Sequence, residues 1–156
     1  MAKLRLGVLV SGNGSNLQAI LDAIARRELD ARVELVISNV AGARALGRAE
    51  AAGVRALALP HRQFPSRDAF DARVLEELDA AGVEWVVLAG FMRLFTPGFL
   101  AAYRHRIINI HPALLPSFPG MHAIEQALAY GVKLTGCTVH LVEDGAVDAG
   151  AIIDQR

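Results

Sequence analysis

Short apolar runs alternate along this chain with stretches whose apolar positions recur every three or four residues. Leu4 to Val10 is the first run, nearly continuous in apolar residues, as expected of a strand buried on both faces. After Ser-Gly-Asn-Gly, the positions Leu17, Ile20, Leu21 and Ile24 mark one face of a helix from about Ser15 to Arg27. Val33 to Ser38 reads as a second strand, Ala43 to Ala52 as a helix closed by Gly53, and Val54 to Leu59 as a third strand. Phe70, Val74, Leu75 and Leu78 form the stripe of a helix over 66–81, with Ser66 as its cap. Trp85 to Ala89 is a fourth strand. Thr96-Pro97 then opens a short helix, with Thr as cap and Pro in the first turn. Arg106 to Ile110 is a fifth strand, and Ala123 to Tyr130 is a helix. Strands over 135–142 and 151–154 are joined by Glu-Asp-Gly-Ala-Val-Asp-Ala-Gly.

Strands that alternate with helices of this length imply right-handed crossovers and a mostly parallel sheet. The expectation is one α/β domain over residues 1–156, a doubly wound, three-layer α/β/α arrangement. The closing pair is read as a hairpin or an edge addition. In such a fold ligands bind at the carboxyl ends of the strands, where strand order reverses. That puts Ser11–Asn16, Gly90–Phe95 and Asn109–Pro112 on one rim.

Composition narrows the function. The chain has 156 residues, enough for one core, and 53% hydrophobic against 21% charged residues marks it as globular. Sixteen basic residues balance sixteen acidic ones, which disfavours nucleic-acid or anionic-membrane partners. The single cysteine, Cys137, excludes an internal disulfide or a cysteine-based zinc cluster, and its strand-like setting suggests a small core residue. No metal is expected. No apolar run reaches a membrane span or looks like a signal peptide, so the expected compartment is cytoplasmic.

Three stretches carry chemistry. The first, Ser-Gly-Asn-Gly-Ser-Asn, lacks the third glycine of the dinucleotide fingerprint and the Gly-Lys of a P-loop. It suits a small phosphate monoester at a helix N-terminus, unless it is only a tight turn that packs helix on strand. The second, Arg106 to Met121, has no charge from Ile107 to Gly120 apart from His111, and contains three prolines. Asn109 and His111 are two apart at a strand end and so share a face. An amide beside an imidazole fits an oxyanion site for acyl transfer. No nucleophile elbow is present, so direct attack by the substrate is expected. That chemistry needs a carboxylate beside the His, for which Asp148 is the best placed, with Glu143 and Asp144 as rivals. In the third stretch, Gly90-Phe91-Met92-Arg93-Leu94-Phe95, Phe91 or Phe95 suits the core and Arg93 suggests a planar or anionic ligand.

These motifs, in this order and across essentially the whole chain, resemble the phosphoribosylglycinamide formyltransferase family. The resemblance implies formyl transfer from 10-formyltetrahydrofolate to the amine of 5-phosphoribosylglycinamide, in purine biosynthesis, with a homodimer left open. By motif, Gly14, Ser15 and Asn16 would hold the phosphoribosyl part. Arg67 and Met92, Arg93, Leu94 and Phe95 would line the folate site, and Asn109 would touch the formyl oxygen. His111 would be the proton donor, and Asp148 would keep it protonated and relay the amine's proton. Three departures stand out. The spacing from His140 to Asp148 is one residue longer than usual, Ala151 replaces a common Pro, and the family normally continues beyond position 156 with a further helix. The alternatives are a formyltetrahydrofolate hydrolase, and a folate- or phosphate-binding module without catalysis.

Overall fold

The computed structural model describes residues 2–143, 145 and 147–156. Its strands are β1 (Leu4–Val10), β2 (Ala31–Ser38), β3 (Arg55–Ala58), β4 (Trp85–Leu88), β5 (Ile107–His111), β6 (Thr138–Leu141) and β7 (Ile152–Gln155). Its α-helices are α1 (Ser15–Ala25), α2 (Arg44–Ala51), α3 (Arg67–Ala80), α4 (Pro97–Ala102) and α5 (Ala123–Tyr130). A 3-10 turn at His61–Gln63, which periodicity does not reveal, follows β3.

One seven-stranded sheet runs in the order β3-β2-β1-β4-β5-β6-β7. The first five of these are parallel neighbours, and β6 and β7 are antiparallel additions at the edge. The expected α/β architecture is therefore observed, with the closing pair as an antiparallel hairpin. The chain leaves β1 in one direction through β2 and β3, then returns to lay β4 on the other side of β1. The reversal point thus lies between β1 and β4, above which a crevice forms at the carboxyl ends.

Alternation along β1 sorts the core into two layers. Val8 and Val10 join Leu17, Leu21, Ala45 and Ala49 on the side of α1 and α2. Leu9 joins Phe70, Val74, Leu78, Phe99 and Tyr103 on the side of α3 and α4. The strand is apolar throughout because both faces are covered. Both expected caps form: Ser66 accepts from Ala69 N at 3.1 Å and Thr96 from Phe99 N at 3.4 Å. Helix α1 stops two residues before the expected Arg27, which turns left-handed at φ 61°.

Candidate active site

The carboxyl ends of β4 and β5, with β6 and the loop that follows it, line a cleft of about 740 Å³, within the range of small-molecule sites. Asn109 and His111 reach it from β5, and both line it with Asp148. His111 is buried, and its Nε2–H donates to the Phe118 carbonyl at 2.7 Å. Its Nδ1 lies 3.4 Å from Asp148 Oδ2, long for a hydrogen bond and so still available to a third group. One ring nitrogen is anchored to the loop while the other faces a carboxylate.

Asp148 is placed by its backbone. It sits at φ 56°, a left-handed conformation that Asp tolerates better than most residues. Its Oδ2 accepts from Gly120 N at 2.7 Å, tying the loop after β6 to the loop after β5. Gly150 lies against the Leu141 carbonyl so closely that any Cβ would collide with it. Of the rival acids, Glu143 pairs with His105 Nδ1 at 3.1 Å on the surface, and Asp144 lies outside the described residues.

The backbone of the proline-rich loop is held by neutral side chains. Thr138 Oγ–H donates to the Ala113 carbonyl at 2.8 Å, and Thr138 Oγ accepts from Leu115 N at 3.0 Å. Gln155 Nε2 donates to the Leu115 carbonyl at 2.8 Å. These contacts satisfy buried main-chain groups that would otherwise cost about 1–3 kcal/mol each.

His140 is the residue that sequence reasoning missed. It pairs with Asn109 across β5 and β6, and its Nδ1–H donates to the Leu141 carbonyl at 2.9 Å. Nε2 then accepts from Asn109 Nδ2 at 3.1 Å, and it also lies 3.5 Å from Asp148 Oδ1. The signal was present as a His in an alternating strand, but only the register makes it Asn109's neighbour.

Met92 and Leu94 are exposed along the cleft, and Arg67 also lines it. Phe95 lines the cleft too, yet its ring is buried in a stack with Phe91 and Phe99, the latter 3.8 Å away. Arg93 lies over the Phe70 ring at 5.2 Å. The loop carrying these residues is tied down by Asp71, whose Oδ2 accepts from Thr96 N at 2.7 Å and from Thr96 Oγ at 2.8 Å. Burial pushes the Asp71 carboxyl above its ordinary range, opposed by those two hydrogen bonds and by the charges of Arg67 and Arg93.

A second pocket, about 270 Å³, is lined by Gly14, Ser15 and Asn16 together with Ser11, Gly90 and Met92. Ser15 and Asn16 are exposed at the start of α1. Gly14 also serves packing: a Cβ there would sit 2.6 Å from Ala45 Cβ, at φ 79°. The packing reading of this turn thus holds at Gly14, while Ser15 and Asn16 keep their polar side chains exposed. Among the described residues, no cluster of three His, Cys, Asp or Glu side chains could hold a metal, and no helix is long and apolar enough to cross a membrane.

Residues 4–156 match the Formyl transferase family. The chain belongs to this family. Phosphoribosylglycinamide formyltransferase of Escherichia coli is 45% identical over 152 residues, 97% of this chain and 71% of that protein. The trifunctional purine biosynthetic protein adenosine-3 of Drosophila pseudoobscura is 50% identical over 153 residues, 97% of this chain. There the chain spans 11% of the relative's length. The crystal structure of glycinamide ribonucleotide transformylase 1 from Symbiobacterium toebii superposes with a TM-score of 0.96 at 53% identity, covering 99% of this chain and 73% of that one. The formyltransferase fold is thus shared over nearly the full length of the chain.

Proposed function

We propose that the protein transfers the formyl group of 10-formyltetrahydrofolate to the amine of 5-phosphoribosylglycinamide, a step of purine biosynthesis in the cytoplasm. The observation that carries this reading is the meeting of Asn109, His111 and Asp148 at one end of the large cleft. The membership of the chain in the formyltransferase family supports it. The cleft takes the folate along Met92, Leu94 and Arg67, and the smaller pocket takes the phosphoribosyl end at Gly14, Ser15 and Asn16.

The amine nitrogen attacks the formyl carbon, forming a C–N bond while an electron pair moves onto the formyl oxygen. Asn109 Nδ2 donates to that oxygen, with its amide orientation set by His140. Preformed donors in a water-poor cleft stabilise such a charge strongly, because they need no reorganisation during reaction. His111, anchored through Nε2, offers Nδ1 as the proton-bearing atom. Asp148 keeps that proton on the ring and takes one from the attacking amine. When the bond from carbon to the folate nitrogen breaks, the proton at His111 Nδ1 goes to the departing nitrogen. The products are the formamide and tetrahydrofolate, with charge balanced. No protein nucleophile is needed, since positioning and charge stabilisation supply the acceleration.

Optical assay of the formyl folate with and without 5-phosphoribosylglycinamide tests this. Folate turnover is expected only when the amine is present. Turnover at the same rate without it would mean hydrolysis and would overturn the reading.

A further inference from the structure

The large cleft and the small pocket share a wall, since Gly90 and Met92 line both. That wall is held by a side chain from the end of β1. The Ser11 N–H donates to the Gly90 carbonyl at 3.1 Å, and Ser11 Oγ accepts from Met92 N at 2.9 Å. The hydroxyl proton is already committed: Ser11 Oγ–H donates to Asn39 Oδ1 at 2.6 Å. An amide oxygen can only accept, so the direction of this bond is fixed and the Ser11 lone pairs are left for Met92. Asn39, itself 5% exposed, has its amide nitrogen 3.2 Å from His61 Nδ1, and the same ring nitrogen lies 3.3 Å from the Asn39 main-chain carbonyl. A chain of contacts thus runs from the turn after β3, through the end of β2 and the end of β1, to the loop after β4.

We propose that Ser11 is a positioning residue for both pockets: its hydroxyl, aimed by Asn39, sets the Met92 backbone that borders the phosphate pocket and the folate cleft. The inference rests on the assignment of those two pockets made above. Ser11 is not itself a phosphate donor, because its proton points at Asn39 and cannot serve an anion without breaking that bond. It touches no reacting atom, so it acts on binding and not on the chemical step.

Steady-state kinetics of the full chain test this with Ser11→Ala, Ser11→Thr and Ser11→Cys, each checked for its melting temperature. Ser11→Ala is expected to raise KM for both substrates by about three- to tenfold, the factor one ordinary hydrogen bond is worth, with kcat changed far less. Ser11→Thr, which keeps the hydroxyl, is expected to restore both constants. Should the alanine variant fail to fold, Ser11→Cys carries the test, with a smaller rise in both KM values. A folded variant in which only one KM moves, or neither, overturns the role of Ser11. A loss of kcat alone overturns it as well. Wild-type saturation by both substrates separates the two claims. With saturation present, unchanged constants in the variants count against Ser11 alone; without it, the pocket assignment fails and the role of Ser11 fails with it.

Discussion

Asn109 Nδ2 lies 3.1 Å from His140 Nε2, and the two residues are directly paired across the antiparallel junction of β5 and β6. The junction is where the sheet changes from parallel to antiparallel, and the change places the amide beside an imidazole acceptor. Replacing His140 with Phe keeps the volume and removes the acceptor, leaving the amide free to turn. The expected loss is about fivefold in kcat, the equivalent of ~1 kcal/mol, with KM for the folate unchanged. Asn109→Ala removes the donor itself and is expected to cost about 10²–10³-fold in kcat. Single-turnover rates of both variants check the order.

His111 and Asp148 should behave as one unit. The carboxylate holds the proton that the ring carries and takes the amine's proton in the same transfer, so losing either group disables the same step. Replacing each alone with Ala, then both, is expected to give a double variant barely slower than the worse single one. Additive losses in kcat would mean that the two residues act separately.

Gly14→Ala should destabilise the fold before it affects binding. The new methyl would meet Ala45 Cβ at 2.6 Å with the backbone at φ 79°. Overpacking costs about 1–3 kcal/mol and the left-handed conformation about 1–2 kcal/mol more. Adding Ala45→Gly is expected to return only part of the packing cost, since the Ala45 Cα would still lie 2.8 Å from the new methyl, and to leave the backbone part. Urea denaturation of the wild type and the two variants measures both.

Asp71 provides a pH-dependent test. Its folded pKa is raised, so the native state keeps a proton that the unfolded chain has already released. The stability this gives is complete below the ordinary carboxyl range and is lost as pH rises through the raised folded value. At neutral pH the buried charge is therefore a cost that an amide would not carry. Asp71→Asn is expected to melt at or above wild type at pH 7, with the difference shrinking as pH falls toward 4. Asp71→Ala leaves the Thr96 donors unpaired and should cost about 1–3 kcal/mol. A rise in the Asn variant's advantage on acidification would contradict the sign.

Much of this architecture was legible in the sequence because its signals are local. Strands buried on both faces announce themselves as apolar runs, and Ser66 and Thr96 announce their helices by chemistry confined to a few residues. Asn109 and His111 could be placed together from strand periodicity alone. What was not legible depends on register and on long-range packing. His140 becomes part of the site only through its pairing with Asn109, and Ser11 only because β4 returns beside β1. Asp71 carries no local signal, since its partner Thr96 is 25 residues away. Gln155 and Thr138 brace the uncharged loop from strands whose direction the sequence left open.

The most direct measurement follows a carbon-13 label in the formyl group of 10-formyltetrahydrofolate by NMR, with wild type and His111→Ala. The account predicts that the label moves to the amine of 5-phosphoribosylglycinamide as a formamide in the wild type. In His111→Ala that transfer should be lost. Label released as formate by the wild type, or undiminished transfer by the variant, would contradict it.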